Sequence, residues 1–394
     1  MSSDHLPEPR PLRRRPALSG VVALILLAVF WAATLRQVGT LRSDDSPHSR
    51  TEGASRRLEA RFRGLFETNA PGIRVLAVPM NGLLYWFGER RGAESVLVAS
   101  SSSRGRVLLF TPEMELERRQ LESEPVFVRN AGIIREKIAT LRGLGVARVF
   151  LVPVPTKLSV ELATDPSLRE EARGIPGPAA ELGSSTSRAG HTSETPDGHR
   201  TADAYERFAK SLDAVDGVTV VTLQQLFTSR ATSREDPVFA YEDTHWTSLG
   251  LNLAAAEVVG AWLGAAPSLK KAGQVADAPG DLQRMLALPE RSWFRTHPFE
   301  EDVYELHRAT TEPLCPSAAF LLGTSYSSHR GQTLAGQLSQ GSGCSVVDLS
   351  VPGQGAVASF PAVFGGPRER LRDATVFWEF PFRDLLDASS FVRR

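Results

Sequence analysis

Apolar residues along this chain fall into two alternating rhythms. Short β-branched or aromatic runs alternate with longer segments whose apolar positions recur three and four residues apart. These are the signatures of strands and of amphipathic helices. Ile73–Pro79 and Leu83–Phe87 flank Met80-Asn81-Gly82, and Asn-Gly between two such runs predicts a hairpin. Ser95–Ala99 and Arg106–Thr111 predict two more short strands, and Ala131–Leu144 has helical spacing. Val146–Pro153 (VARVFLVP) lies between Gly145 and Pro155 and predicts a buried parallel strand. The alternation resumes later with a helix at Ala202–Leu212 and a strand at Val218–Leu223, after the turn Asp216-Gly217. A helix at Leu249–Leu263 follows, with Thr247 or Ser248 as its cap. Then come a strand at Ser317–Leu322, a helix containing Thr333–Leu338, a strand at Ser345–Leu349 and a last strand at Asp373–Phe380. Strands separated by helices predict an α/β fold, a mostly parallel sheet with helices on both faces. No internal repeat is visible.

The remaining segments set the domain plan. Residues 1–16 are rich in proline and arginine, and Ala17–Leu35 is a run of 19 residues without a charge. A bilayer core of roughly 30 Å is crossed by about that length of helix. Arg10, Arg13, Arg14 and Arg15 precede the run, so the positive-inside rule puts residues 1–16 in the cytoplasm and everything after the run outside it. A retained anchor is the favoured reading. A cleaved signal peptide competes with it, because Ala32-Ala33-Thr34 resembles a processing site. Residues 36–69 read as a linker followed by an amphipathic juxtamembrane helix, with Leu58, Phe62, Leu65 and Phe66 at helical spacing. The main domain spans about 70–390. Within it, residues 174–200 are dominated by Gly, Pro, Ser and Thr, which predicts a flexible insertion.

Charge and cysteine content narrow the classes. Lys+Arg and Asp+Glu both number 45, and this zero balance argues against a general nucleic-acid binder. The two cysteines, Cys315 and Cys344, precede two predicted strands. An exported compartment permits a bridge between them, and spacing alone leaves that open.

The chemistry concentrates in two stretches. Tyr241-Glu242-Asp243-Thr244-His245-Trp246-Thr247 places a carboxylate and an imidazole two residues apart, just before an apolar helix. About 80 residues later, Leu322-Gly323-Thr324-Ser325-Tyr326-Ser327 places a serine on the turn after a short strand. A serine hydroxyl needs a base within hydrogen-bond reach, and the base needs a group that fixes its tautomer. Side chains at i and i+2 of an extended or turn segment point the same way, so Asp243 can orient His245 toward Ser325. Backbone amides of the Gly323–Tyr326 turn, that of Ser325 with its neighbours Gly323, Thr324 and Tyr326, are candidate oxyanion or substrate contacts, and Gln354 in Pro352-Gly353-Gln354-Gly355 is a further side-chain donor. His329 is a competing base, disfavoured by its position near the start of the next helix. A metal is not expected: a binuclear phosphoesterase would add Gly-Asp and Gly-Asn-His stretches on further strands. No Walker loop, G-x-G-x-x-G fingerprint, CxxC motif or G-x-S-x-G elbow is present, and no cofactor is implied.

At these residues the chain resembles the alginate O-acetyltransferase family of the AlgX/AlgJ type, with its SGNH-hydrolase-like domain. Asp243-Thr244-His245-Trp246-Thr247 and the downstream Gly323-Thr324-Ser325-Tyr326-Ser327 carry the resemblance. Val152-Pro153-Val154-Pro155-Thr156-Lys157 and Trp378-Glu379-Phe380-Pro381-Phe382-Arg383 extend it across roughly residues 70–390. Ordinary SGNH hydrolases carry the serine first and Asp-x-x-His last; the order here is permuted, as in this family.

The resemblance implies Ser325 as acetylated nucleophile, His245 as base and Asp243 as its orienter. It implies transfer of acetyl groups to hydroxyls of an exported polysaccharide, with a membrane-bound O-acyltransferase partner delivering the acetyl group. An acetyl esterase using the same three residues, and a non-catalytic polysaccharide-binding subunit, are the alternatives.

Overall fold

The structure, a computed structural model, describes residues 91–93, 96–101, 105–110, 113, 124–168, 198–213, 215–231, 237–276, 280–285, 300–308, 315, 318–366, 368–387 and 390–391. The predicted membrane span at 17–35, the juxtamembrane helix, the hairpin at 73–87 and the insertion up to residue 197 lie outside the described residues. Among the described residues no helix is long and apolar enough to cross a membrane. The chain divides into two units, Met1–Val78 and Pro79–Arg394, and every described residue belongs to the second.

Three short strands open it: β1 (Arg91–Ala93), β2 (Val96–Ser101) and β3 (Gly105–Phe110), paired antiparallel in that order. Helix α1 (Glu124–Gly143) follows, then strand β4 (Arg148–Val154), helix α2 (Lys157–Thr164) and helix α3 (Gly198–Asp213). Strand β5 (Val218–Val220) leads into helix α4 (Gln224–Arg230), and helix α5 (Ser248–Leu263) follows. Strand β6 (Ser268–Ala276), the short helix α6 (Asp281–Met285) and strand β7 (Glu300–His307) come next. Strand β8 (Ala319–Leu322) and the two-residue strands β9 (Ser328–His329) and β10 (Gln332–Thr333) precede helix α7 (Leu334–Ser342). Strands β11 (Val346–Asp348) and β12 (Thr375–Pro381) complete the set.

Among the described residues the scaffold is a five-stranded, all-parallel sheet in the order β11-β8-β12-β4-β5. The last of the described strands, β12, lies at its centre. Trp378 sits opposite Leu151 of β4 on one side and Leu322 of β8 on the other.

Side-chain alternation splits the core into two layers, as a sheet covered on both faces requires. Phe150, Val152, Leu321 and Phe377 pack with Leu251, Ala255, Val258 and Trp262 of α5 and Leu334 and Leu338 of α7. Val149, Leu151, Leu322, Val376 and Trp378 pack on the opposite face with Ile134, Ile138 and Leu141 of α1 and Tyr205, Phe208 and Leu212 of α3.

Several predicted elements change in extent. Helix α1 begins at Glu124 rather than Ala131, and α3 at Gly198 rather than Ala202. β5 stops at Val220, because the apolar residues that follow turn into α4. Thr247 is the cap of α5: its hydroxyl accepts from the Gly250 amide at 3.2 Å. The antiparallel pair β6–β7 was not predicted, since Lys270 and Lys271 interrupt β6 and acidic residues make up half of β7. Cys315 and Cys344 form a disulfide with Cα atoms 5.3 Å apart.

Candidate active site

All strands of a parallel sheet end at the same edge, and open α/β sheets bind ligands beyond their carboxyl ends. Beyond β8 lies the Gly323–Ser327 turn. Lys157 follows β4, and Arg383 follows β12. A separate loop between α4 and α5 supplies Asp243 and His245. It is closed by a bridge between Phe239 and Trp246 and by hydrogen bonds from Ala240 N–H to the His245 carbonyl (3.1 Å) and from Thr247 N–H to the Val238 carbonyl (3.0 Å).

The two stretches meet. His245 Nδ1 lies 2.6 Å from Asp243 Oδ1, and His245 Nε2 lies 2.9 Å from Ser325 Oγ. The same Asp243 oxygen accepts the His245 backbone N–H at 3.0 Å, so the carboxylate fixes both the ring and its backbone. Ser325 opens a 3-10 turn, Ser325–Ser327, directly after β8 and Gly323-Thr324. Gly323 is required there: a Cβ would stand 1.8 Å from Ser327 Oγ.

The segments that carried the family resemblance pin both halves of this arrangement. Lys157 is fully buried, and its ammonium donates to the carbonyls of Ala240 (2.7 Å), Tyr241 (2.8 Å) and Asp243 (3.1 Å). Burial lowers its pKa to about 8, partly offset by the nearby carboxylates of Glu161, Asp243, Asp281 and Glu113. Glu379 is likewise buried. It accepts from Thr324 N–H (2.8 Å), Thr324 Oγ1 (3.0 Å) and Ser327 Oγ (2.7 Å), and so holds the serine turn on both sides of Ser325.

Tyr326 packs its ring 4.6 Å from the His245 ring and donates its hydroxyl to the Thr244 carbonyl at 2.9 Å. Arg383 lies over the rings of Tyr326 and Phe110 and donates to Glu113 at 2.7 Å.

Electrostatics favours an imidazole that readily takes a proton. Burial works against charge on His245, but the hydrogen bond to Asp243 and the charges of Asp243 and Asp281 outweigh it and raise the pKa above 6.5, with Arg383 opposing. Burial also opposes charge on Asp243. The hydrogen bond and charge of His245 overcome that and hold the carboxyl well below the usual range.

Other predicted contacts take different places. The Thr324 N–H is engaged by Glu379, and the Tyr326 N–H by Thr324 Oγ1 at 3.3 Å, so neither amide faces an oxyanion. The Gly323 carbonyl accepts from Val351 N–H and Ser359 Oγ, both at 3.0 Å, while Gln354 is exposed on the loop after β11. His329, the competing base, pairs through Nε2 with Glu301 at 2.8 Å.

Asp281 was missed. Its oxygens accept from Thr244 N–H at 2.7 Å and from the Thr244 hydroxyl, and its own amide donates to Asp243 Oδ2 at 3.2 Å. The dipeptide Gly280-Asp281 was its only trace in the sequence, and it is a Gly-Asp stretch of the kind whose expected absence argued against a metal. Donor atoms of Asp243, His245 and Asp281 lie within 4.8 Å of one another, a spacing that can hold a metal ion. Here the ring nitrogen is bonded to Asp243 and the Asp281 oxygens to Thr244.

The family model described as the SGNH hydrolase-like domain of the acetyltransferase AlgX matches residues 185–382, half of the chain. No curated protein sequence matches. Among solved structures, the O-acetyltransferase domain of Pseudomonas putida AlgJ is similar at 20% identity and a TM-score of 0.46, covering 75% of this chain and 96% of that one. Pseudomonas aeruginosa AlgX is similar at 20% identity and a TM-score of 0.49, covering 75% of this chain and 64% of that one.

Proposed function

This chain belongs to the family of SGNH hydrolase-like acetyltransferases that AlgX represents, and from that premise we propose that it acetylates hydroxyl groups of an exported polysaccharide through an acetyl-Ser325 intermediate. The observation that carries the mechanism is the imidazole of His245 lying 2.6 Å from Asp243 and 2.9 Å from Ser325.

In the first half-reaction Ser325 Oγ attacks the acetyl carbonyl of the donor while His245 Nε2 takes the hydroxyl proton. The imidazolium is stabilised by Asp243 and returns the proton to the leaving group as the donor C–O bond breaks. In the second, His245 takes the proton of a sugar hydroxyl, whose oxygen attacks the acetyl-serine carbonyl. Ser325 departs and regains the proton. The amide of Ser325 is the first of its 3-10 turn and has no partner within that turn, which supports it as oxyanion donor.

The apolar run at 17–35 and the arginines before it support a single-pass anchor in the inner membrane, with residues 1–16 in the cytoplasm and the acetyltransferase domain in the periplasm. A membrane-bound O-acyltransferase partner would then deliver the acetyl group across the membrane.

The test is intact mass of the protein after exposure to an activated acetyl ester, beside Ser325→Ala and His245→Ala, followed by addition of oligosaccharide acceptors. One acetyl group mapped to Ser325, absent in both variants and passed to the oligosaccharide, is the expected result. An adduct that only water discharges would identify an esterase instead. An unmodified Ser325 with no turnover would leave a polysaccharide-binding subunit.

A further inference from the structure

We infer that Asp281 is a second positioning carboxylate for His245, so that the base works inside a two-carboxylate clamp rather than on Asp243 alone. This rests on His245 being the base. Asp281 Oδ2 lies 3.7 Å from His245 Nδ1, on the same side of the ring as Asp243. Its two oxygens accept from the amide and the hydroxyl of Thr244, the residue between Asp243 and His245. Its amide donates to Asp243 Oδ2, the oxygen that the ring does not use. One residue thus fixes both the loop that carries the base and the carboxylate that orients it.

The three side chains are similarly withdrawn from water, at 15%, 20% and 22% exposure for Asp243, His245 and Asp281. The approach is close enough to dictate the preceding residue. A Cβ on Gly280 would stand 1.9 Å from the Glu242 carbonyl oxygen, and that same carbonyl accepts the Gln283 N–H at 3.1 Å.

The charge matters as well as the bonds. Burial and the adjacent Asp243 carboxylate raise the Asp281 pKa above the ordinary value, while the hydrogen bonds from Thr244 and the charge on His245 favour its ionised, acceptor-only form. At 3.7 Å from the ring it favours the imidazolium. The other charged and titratable groups around His245 are Asp243, Arg383, Tyr326 and Glu379, with Lys157 beyond Asp243 and Glu113 beyond Arg383. Of these, Arg383 opposes the imidazolium.

Asp281→Asn keeps the acceptor for the Thr244 amide and removes the charge. The His245 ring is titrated by NMR in the full chain, with His245→Gln to assign its signal, and kcat/KM toward an activated acetyl ester is followed across pH. Asp281→Asn should lower the ring midpoint by about one pH unit, the size expected of a single charge at this distance even with strong screening. The acid limb of kcat/KM should move down with it. Asp281→Ser, smaller and also neutral, should do the same if the asparagine variant folds poorly. Thr244→Val retains the carboxylate and should produce no such fall. An unchanged ring midpoint in a folded Asp281→Asn or Asp281→Ser protein would overturn the inference while leaving His245 as base. Undiminished turnover in His245→Gln would instead overturn the base assignment itself.

Discussion

Glu379 offers the sharpest test of how the nucleophile is held. Its carboxylate takes three donors: Thr324 N–H at 2.8 Å, Thr324 Oγ1 at 3.0 Å and Ser327 Oγ at 2.7 Å. Truncation to alanine strands all three beneath the sheet edge. A buried donor left without an acceptor costs about 1–3 kcal/mol. The two hydroxyls can turn elsewhere, but the Thr324 amide cannot, so Glu379→Ala should destabilise by about 3–5 kcal/mol. For a domain of this size that is roughly a 10 °C fall in Tm. Glu379→Gln keeps an oxygen for the Thr324 amide and the Ser327 hydroxyl, and turns its NH2 toward Thr324 Oγ1, which can accept. It also removes a charge whose burial is unfavourable, so its net cost should be about 1 kcal/mol or less.

The pH dependence carries a sign. Burial raises the Glu379 pKa above 4.5 despite its hydrogen bonds. The folded state therefore holds that proton more tightly than the unfolded chain, and stability from this group falls as pH rises from 4.5 through the raised value. Relative to Glu379→Gln, the wild type should be at its most stable in acid and lose ground toward neutrality. Thermal unfolding by circular dichroism at pH 5 and pH 7.5, with the rate of acetyl-Ser325 formation measured alongside, reads both effects. Equal melting temperatures for the alanine and glutamine variants would refute the reasoning, because they would mean that the three bonds contribute nothing beyond filling space.

Two further outcomes are expected. Since the His245 pKa is raised above 6.5 and the base must be neutral, kcat/KM should fall on acidification with a midpoint above 6.5. The stabilisation from the charged His245–Asp243 pair runs the other way: it is fully present below 6.5 and lost as pH rises through the folded value. A midpoint at or below 6.5 would show that the carboxylates do not act on the ring. Cys315 and Cys344 close a loop of separation 29, so Cys315→Ser with Cys344→Ser should cost about 3–4 kcal/mol of stability in the loop-entropy account. Acylation kinetics at a permissive temperature should be unchanged, and a loss of acylation without a loss of Tm would contradict that separation.

Legibility in the sequence followed the range of the interactions. Helix α5 was readable because its apolar run and its Thr247 cap are local features. The pairing of Asp243 with His245 was readable because it spans two residues, and Ser325 because it follows a buried strand. The roles of Lys157 and Glu379 were not readable. Each acts on a partner 52 to 86 residues away, and a lysine or glutamate in a sequence gives no sign that it will be buried. Asp281 was hidden for the same reason, behind a common Gly-Asp pair. The oxyanion assignment to Thr324 and Tyr326 went astray because it treated their amides as open, whereas Glu379 and the Thr324 hydroxyl had already engaged them. The β6–β7 pair escaped because β6 is largely solvated, β7 is only partly buried, and neither has a clear two-residue rhythm.

The strand order carries a consequence for biosynthesis. β12 follows both β4 and β8 in the chain, yet it lies between them and brings Glu379 with it. Until it inserts, β8 has no partner on that side and the turn bearing Ser325 lacks the Glu379 carboxylate that bonds Thr324 and Ser327. A nascent chain that has emerged only as far as α7 already contains Asp243, His245 and Ser325, but not the strand that fixes the serine. A chain cut short before β12 should therefore accumulate as a species that neither completes its sheet nor accepts an acyl group.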